Sequence, residues 1–211
     1  MKRLLDIGLE RLTNMLLDMS SISERAVEMA VEAYVKGLKV TSTVFQLSEE
    51  LRILQDEVSD LALELIARYQ PVANDLRYIR SCMEIAYGFL RFGRYAYDIS
   101  QVLDMFGDLS QCDHKAVEEA GKKAKEMIKM SIIAFKNKDL TLANKVKEMD
   151  DEVDDAYVNF VSKAISNPLS DKRCDMAATL ILRYLERIAD HATYICEAIN
   201  YIIKGERTSR R

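Results

Sequence analysis

The sequence predicts an all-α protein: two tandem three-helix bundles built from six long helices. Three observations predict it. Apolar residues recur at spacings of three and four, not two. Two Pro and seven Gly among 211 residues leave few places for turns. The last three helical segments also repeat the pattern of the first three.

Each element follows from its punctuation. The first helix spans about residues 2–36 and stops at Gly37, where glycine suits a helix end. The second covers about 41–69. Pro71 opens the third, about 71–106, as a first helical residue whose missing N–H costs nothing. Gly107 ends it. The fourth spans about 112–136, and the fifth starts at Asp139 and runs to about 166. Asn167 reads as the N-cap, and Pro168 as the first residue, of a sixth helix over about 168–204. Short turns force neighbouring helices antiparallel. The expected units are residues 1–108 and 109–205, with a frayed polar tail over 206–211.

Composition narrows the function. The net charge of −4 argues against nucleic acid, because phosphate backbones are bound by clustered Lys and Arg. No run of 18 apolar residues marks a membrane span, and the charged start MKRLLDIGLERL is no signal peptide. The cysteines (Cys82, Cys112, Cys174, Cys196) form no CxxC, and the nearest two are 22 apart. A reduced, cytoplasmic protein is the simplest expectation. No nucleophile motif or phosphate-cradling glycine loop marks an enzyme. The tyrosines and methionines read as packing residues, and His114 as a surface residue of the link.

One feature asks for chemistry. Asp150-Asp151-Glu152-Val153-Asp154-Asp155 puts five acids inside the fifth helix, and Glu186 and Asp190 stand four apart on the sixth. Like charges at i and i+4 share a face and cost about 0.2–0.5 kcal/mol per pair. Aligning the halves by placing Glu57-Val58 on Glu152-Val153, and Asp75-Leu76-Arg77 on Asp171-Lys172-Arg173, gives a sharper result. Opposite Asp150, Asp154, Glu186 and Asp190, the first half has Gln55, Ser59, Leu90 and Arg94. The four acids are missing as a set, which suggests that they act as a unit. Converging carboxylates stay ionised only beside positive charge, and an all-oxygen set suits Mg, Mn, Fe or a roomy Ca site. Glu197, two turns past Asp190, and His191 are further candidate ligands or hydrogen-bonding neighbours. Three alternatives stay open. Arg183 and Arg187, with Lys145 and Lys147, can neutralise the acids without metal. The acidic face can serve a metal-free interaction module that docks a basic partner. A ferritin-like di-metal oxidase would need Glu three residues before each His, where this chain has Gln111 and Ile188.

Two segments carry a family resemblance. Ala67-Arg68-Tyr69-Gln70-Pro71-Val72-Ala73-Asn74-Asp75-Leu76-Arg77 resembles the helix-two to helix-three junction of the PhoU phosphate-signalling family. Tyr184-Leu185-Glu186-Arg187-Ile188-Ala189-Asp190-His191-Ala192 resembles that family's L-E-R-I-x-D-H-A signature, with Asp150 and Asp154 at its partner acidic motif. The resemblance covers essentially the whole chain. It implies a cytoplasmic, non-enzymatic regulator that restrains phosphate uptake and signalling. It implies contact with the ATPase of a phosphate ABC transporter and with a membrane sensor kinase, touching the membrane only indirectly. It implies a multinuclear Fe or Zn cluster, with Mg or Mn also admitted by the oxygen donors, held by Asp150, Asp154, Glu186 and Asp190 in the second repeat only. The first-half positions Gln55, Ser59, Leu90 and Arg94 depart from the motif, and Tyr194 stands where the family favours Asn. Two elongated bundles also admit a homodimer.

Overall fold

The computed structural model describes residues 3–167 and 169–206. Among them run six helices and no strand: α1 (Leu4–Lys36), α2 (Thr41–Tyr69), α3 (Ala73–Phe106), α4 (Lys115–Asn137), α5 (Leu140–Ser166) and α6 (Lys172–Lys204). The all-α expectation holds. Helices α1, α2 and α3 pack together as one bundle and α4, α5 and α6 as another. The bundles join along α3 against α6 and α1 against α4, while α2 and α5 touch only their own bundle and lie at the flanks.

A contiguous apolar core crosses the junction. Leu12, Leu16, Met19 and Tyr34 of α1, Phe89 and Phe92 of α3, and Phe135 of α4 are fully buried within it. The Phe89 and Phe92 rings meet edge to face at 5.7 Å, a favoured arrangement for aromatic pairs. Close approach of α2 to α3 depends on Gly93, where a Cβ would meet Leu51 Cδ1 at 2.5 Å and the Ser48 Cα at 3.2 Å.

The helix ends correct two readings. Pro71 precedes α3 and does not open it. Gln70, in left-handed conformation at φ 45°, ends α2 and donates its N–H to the Ile66 carbonyl. Helix α6 starts at Lys172 because Asp171 caps it. The Asp171 Oδ1 accepts from the backbone N–H of Arg173 at 2.8 Å and of Cys174 at 3.3 Å. Asn167 instead closes α5, donating its N–H to the Lys163 carbonyl. The expectation for Pro168 falls outside the described residues, as does most of the 206–211 tail. Asp139 caps α5 as expected, accepting from Thr141 and Leu142.

A third correction concerns sulfur. Cys112 and Cys174 are joined in a disulfide, with Cα atoms 5.5 Å apart, so the expectation of a fully reduced chain does not hold. They are 62 residues apart in sequence, and only the fold brings the first turn of α6 against the link between α3 and α4. There Arg173 also donates to the Asp108 carbonyl at 2.8 Å. Cys82 and Cys196 are buried free thiols.

Candidate metal centre

Helices α5 and α6 pack along a seam that buries Val153 from one side and Leu185, Ile188 and Ala189 from the other. Asp150 and Asp154 flank Val153, one turn apart. Glu186 and Asp190 flank Ile188 and Ala189 in the same way. The margin of an apolar seam is a poor solvent for charge. The Glu186 side chain keeps only 12% of its exposure, and Asp190 keeps 30%. Three carboxylate oxygens, Asp150 Oδ1, Asp154 Oδ1 and Glu186 Oε2, are sealed from water and have no hydrogen-bond partner.

The four acids share one field. Burial pushes the Asp150 carboxyl up to about 7, and the charges of Asp154, Asp190, Asp151 and Glu186 push the same way. Desolvation and like charge both disfavour the ionised form. Asp154 is raised by burial, then by Asp190 and Asp151, with Arg183 opposing. Glu186 is raised by burial, then by Asp190, with Arg183 and Arg187 opposing. Sequence spacing puts these acids on matching helix faces, and the fold turns those faces toward each other.

Cations answer one side of the cluster. Arg183 Nη1 donates to Glu186 Oε1. The same guanidinium lies over the Tyr157 ring, 5.8 Å from its centre, within reach of a cation–π attraction. Arg187 Nη1 pairs with Asp190 Oδ2 at 3.2 Å, and Arg187 Nε approaches Glu186 Oε2 at 3.8 Å. Among the described residues no Lys or Arg forms an ion pair with Asp150 or Asp154; Lys123, from α4, takes the neighbouring Glu152. No group of three or more His, Cys, Asp and Glu among them stands ready-made around one point. The donor set nonetheless fits a hard cation, because orphaned buried carboxylate oxygens are what such an ion satisfies. Such a cation would be held by Asp150, Asp154, Glu186 and Asp190.

The two further candidates do not join. His191 donates Nδ1–H to the Arg187 carbonyl at 2.9 Å, and its ring sits among Tyr87, Tyr95 and Tyr194. Glu197 lines a separate groove beside Gln55 and Ser59. The sequence reads Tyr157 as a packing residue; in the fold its ring also lies under the Arg183 guanidinium. Its place one turn beyond Val153 was the available signal.

The matching face of the first bundle is neutral or cationic. Gln55 Nε2 donates to Ser59 Oγ at 2.9 Å, and Ser59 Oγ donates to the Gln55 carbonyl at 3.0 Å. Arg94 pairs with Asp98 at 3.2 Å. Gln55, Ser59, Leu90 and Arg94 offer no carboxylate for an ion to satisfy.

Comparison with known proteins places the chain. The family model of the PhoU domain matches it twice, over residues 16–103 and 117–199. A phosphate-specific transport system accessory protein PhoU homolog of Clostridium acetobutylicum is 30% identical over 212 residues, covering 98% of this chain and 97% of its own. A homolog of the same description from Caulobacter vibrioides is 31% identical over 96% of this chain and 91% of its own. The crystal structure of PhoU from Pseudomonas aeruginosa superposes with a TM-score of 0.88 at 26% identity, over 95% of this chain and 99% of that one. The phosphate transport system regulatory protein PhoU from Streptococcus pneumoniae shares the fold, with a TM-score of 0.90 at 20% identity over 98% and 100% of the two chains. The chain therefore belongs to the PhoU family, a family of regulatory accessory proteins and not of enzymes.

Proposed function

We propose that this chain is a cytoplasmic regulator of phosphate uptake and phosphate-starvation signalling. It acts as a helical adaptor that restrains a phosphate ABC transporter, through the transporter's ATPase, and a membrane sensor kinase. The second bundle holds a multinuclear cation cluster, Fe or Zn, with Mg or Mn also suited to oxygen donors. The relatives' names support the phosphate role. No helix of the described residues is long and apolar enough to cross a membrane, in keeping with indirect membrane contact. The protein working as a homodimer belongs to the same reading.

The observation that carries the chemistry is the set of three orphaned carboxylate oxygens on Asp150, Asp154 and Glu186. Four acids in a shared, partly dry field are destabilising alone and stabilising around a cation. The neutral or cationic residues at the matching first-bundle positions support a single site.

Elemental analysis of protein purified without chelator tests this. Wild type should carry stoichiometric metal and melt lower after EDTA, since a ligand that binds only the folded state stabilises it. The Glu186→Ala/Asp190→Ala variant should carry none and ignore EDTA. Equal metal in both proteins would reject the cluster. The second reading, a metal-free acidic docking face, is favoured by the Arg183 and Arg187 pairings; it predicts no EDTA shift in either protein. For the role itself, cells lacking the gene should over-accumulate phosphate when phosphate is plentiful, and unchanged content would count against it.

A further inference from the structure

A groove of about 460 Å³ opens between α2 and α6, with α3 as its floor. Gly88 lies in that floor and lets α3 pack closely on α6, where a Cβ would press the Ile195 side chain at 3.2 Å. Its walls are aromatic: Tyr87 from α3, and His191, Tyr194 and Tyr201 from α6. The Tyr87 and Tyr194 side chains remain 52% and 46% exposed. Two exposed tyrosine side chains on a concave wall mark a surface suited to binding.

The polar lining is one-sided. Glu84 and Glu197 contribute carboxylates, and among the described residues no Lys or Arg lines the groove. Glu84 is engaged by Arg80 at 3.4 Å. Glu197 is half-buried, and among the described residues no cation forms an ion pair with it. The neutral groups lean the same way. His191 spends Nδ1–H on the Arg187 carbonyl, so in the neutral ring Nε2 is an acceptor. Gln55 gives one amide N–H to Ser59 Oγ and keeps its amide oxygen as an acceptor. The chain itself shows what these walls attract: the Arg80 guanidinium stands at the rim, 5.6 Å from the centre of the Tyr201 ring.

Aromatic faces, a half-buried carboxylate and spare acceptors complement a planar cation with several N–H donors. We propose that this groove is a docking site for a partner protein, which seats an arginine side chain between Tyr87 and Tyr194 with its guanidinium on Glu197. The volume admits the arginine and its neighbours on an exposed segment. The site lies apart from the four acids of α5 and α6 and does not require a metal there.

The test is a nuclear magnetic resonance titration of EDTA-treated full-length protein with three acetylated, amidated pentapeptides, Gly-Ser-X-Ser-Gly, where X is arginine, lysine or citrulline. The arginine peptide should bind saturably and shift the ring resonances of Tyr87, Tyr194 and Tyr201. The lysine peptide should bind more weakly, and the neutral citrulline peptide should not bind. Glu197→Gln keeps size and shape and should weaken the arginine peptide about tenfold, as expected for loss of one charge-assisted hydrogen bond. Tyr194→Leu should weaken it as well, and Glu197→Gln should keep the wild-type melting temperature. Equal binding of arginine and citrulline peptides, no saturable binding, or unchanged affinity in Glu197→Gln would each overturn the proposal. Intact arginine binding in Glu186→Ala/Asp190→Ala would support a site that stands without the acid cluster, and its loss there would overturn that independence.

Discussion

Asp150 shows how one residue can carry both a cost and a function. Its carboxyl sits at the edge of a dry seam among other acids, and its affinity for protons rises to about 7 from an ordinary value of 3.8. Between those pH values the folded chain holds a proton that the unfolded chain has released. Stability from this group is therefore fully present below about pH 4 and is lost as pH rises through about 7. Asp154 and Glu186 are raised for the same reason and act in the same direction. His191, lowered by burial, acts oppositely: its contribution is present at high pH and lost on acidification. The prediction is therefore a difference. Metal-free wild type should lose more melting temperature between pH 5 and pH 8 than metal-free Asp150→Asn, which cannot ionise there. Calorimetry on both proteins checks it, and parallel pH profiles would mean the carboxyl is no more buried than an ordinary surface acid.

At the scale of elements, the helices were legible because little interrupts them. Long apolar stripes at three-and-four spacing leave no competing period, so six helices emerge with middles in the right places. The misreadings fall at ends, where two local signals compete. Pro71 and Pro168 both suit a first helical position, but the Asp171 cap decides the start of α6 and left-handed Gln70 decides the end of α2. The acid pairs were legible because i and i+4 share a face and because the first half offered a comparison. Where Glu197 and His191 point was not legible, because a stripe position names a helix face and not the element that face meets. Gly93 was not legible at all, since its role is set by Leu51 and Ser48 of a different helix. Gly93→Ala gains about 1 kcal/mol of helix propensity. It loses about 1–3 kcal/mol to overpacking, because Leu51 can rotate away but the Ser48 backbone cannot. The net expectation is a protein about 1 kcal/mol less stable, read as a lower urea midpoint at unchanged slope. A higher midpoint would mean that α2 and α3 can part without loss.

The molecule as a whole is held by the α3–α6 and α1–α4 contacts, and by the bond from Cys112 to Cys174. That bond joins residues 62 positions apart and closes a loop containing all of α4 and α5, the helix that presents Asp150 and Asp154. Cross-linking a loop of this length restricts the unfolded chain and stabilises the fold by about 2–4 kcal/mol. Disulfides are uncommon in a reducing cytoplasm, so the proposed location makes this contribution conditional. In a chain of this size, reduction should lower the melting temperature by about 5–15 °C. The other two cysteines do not confuse the result. Burial pushes the Cys196 thiol up to about 12 and raises Cys82 as well, so neither supplies thiolate to exchange with the bond. The variant Cys112→Ser/Cys174→Ser should melt with the reduced wild type and be indifferent to dithiothreitol. The acid cluster should survive in it, because the α5–α6 seam rests on Val153, Leu185, Ile188 and Ala189 and not on sulfur. Metal content equal to that of oxidised wild type would show that the bond steadies the bundle without building the site. Identical melting of wild type with and without reductant would remove the disulfide from the account of stability and leave the two bundles held by packing alone.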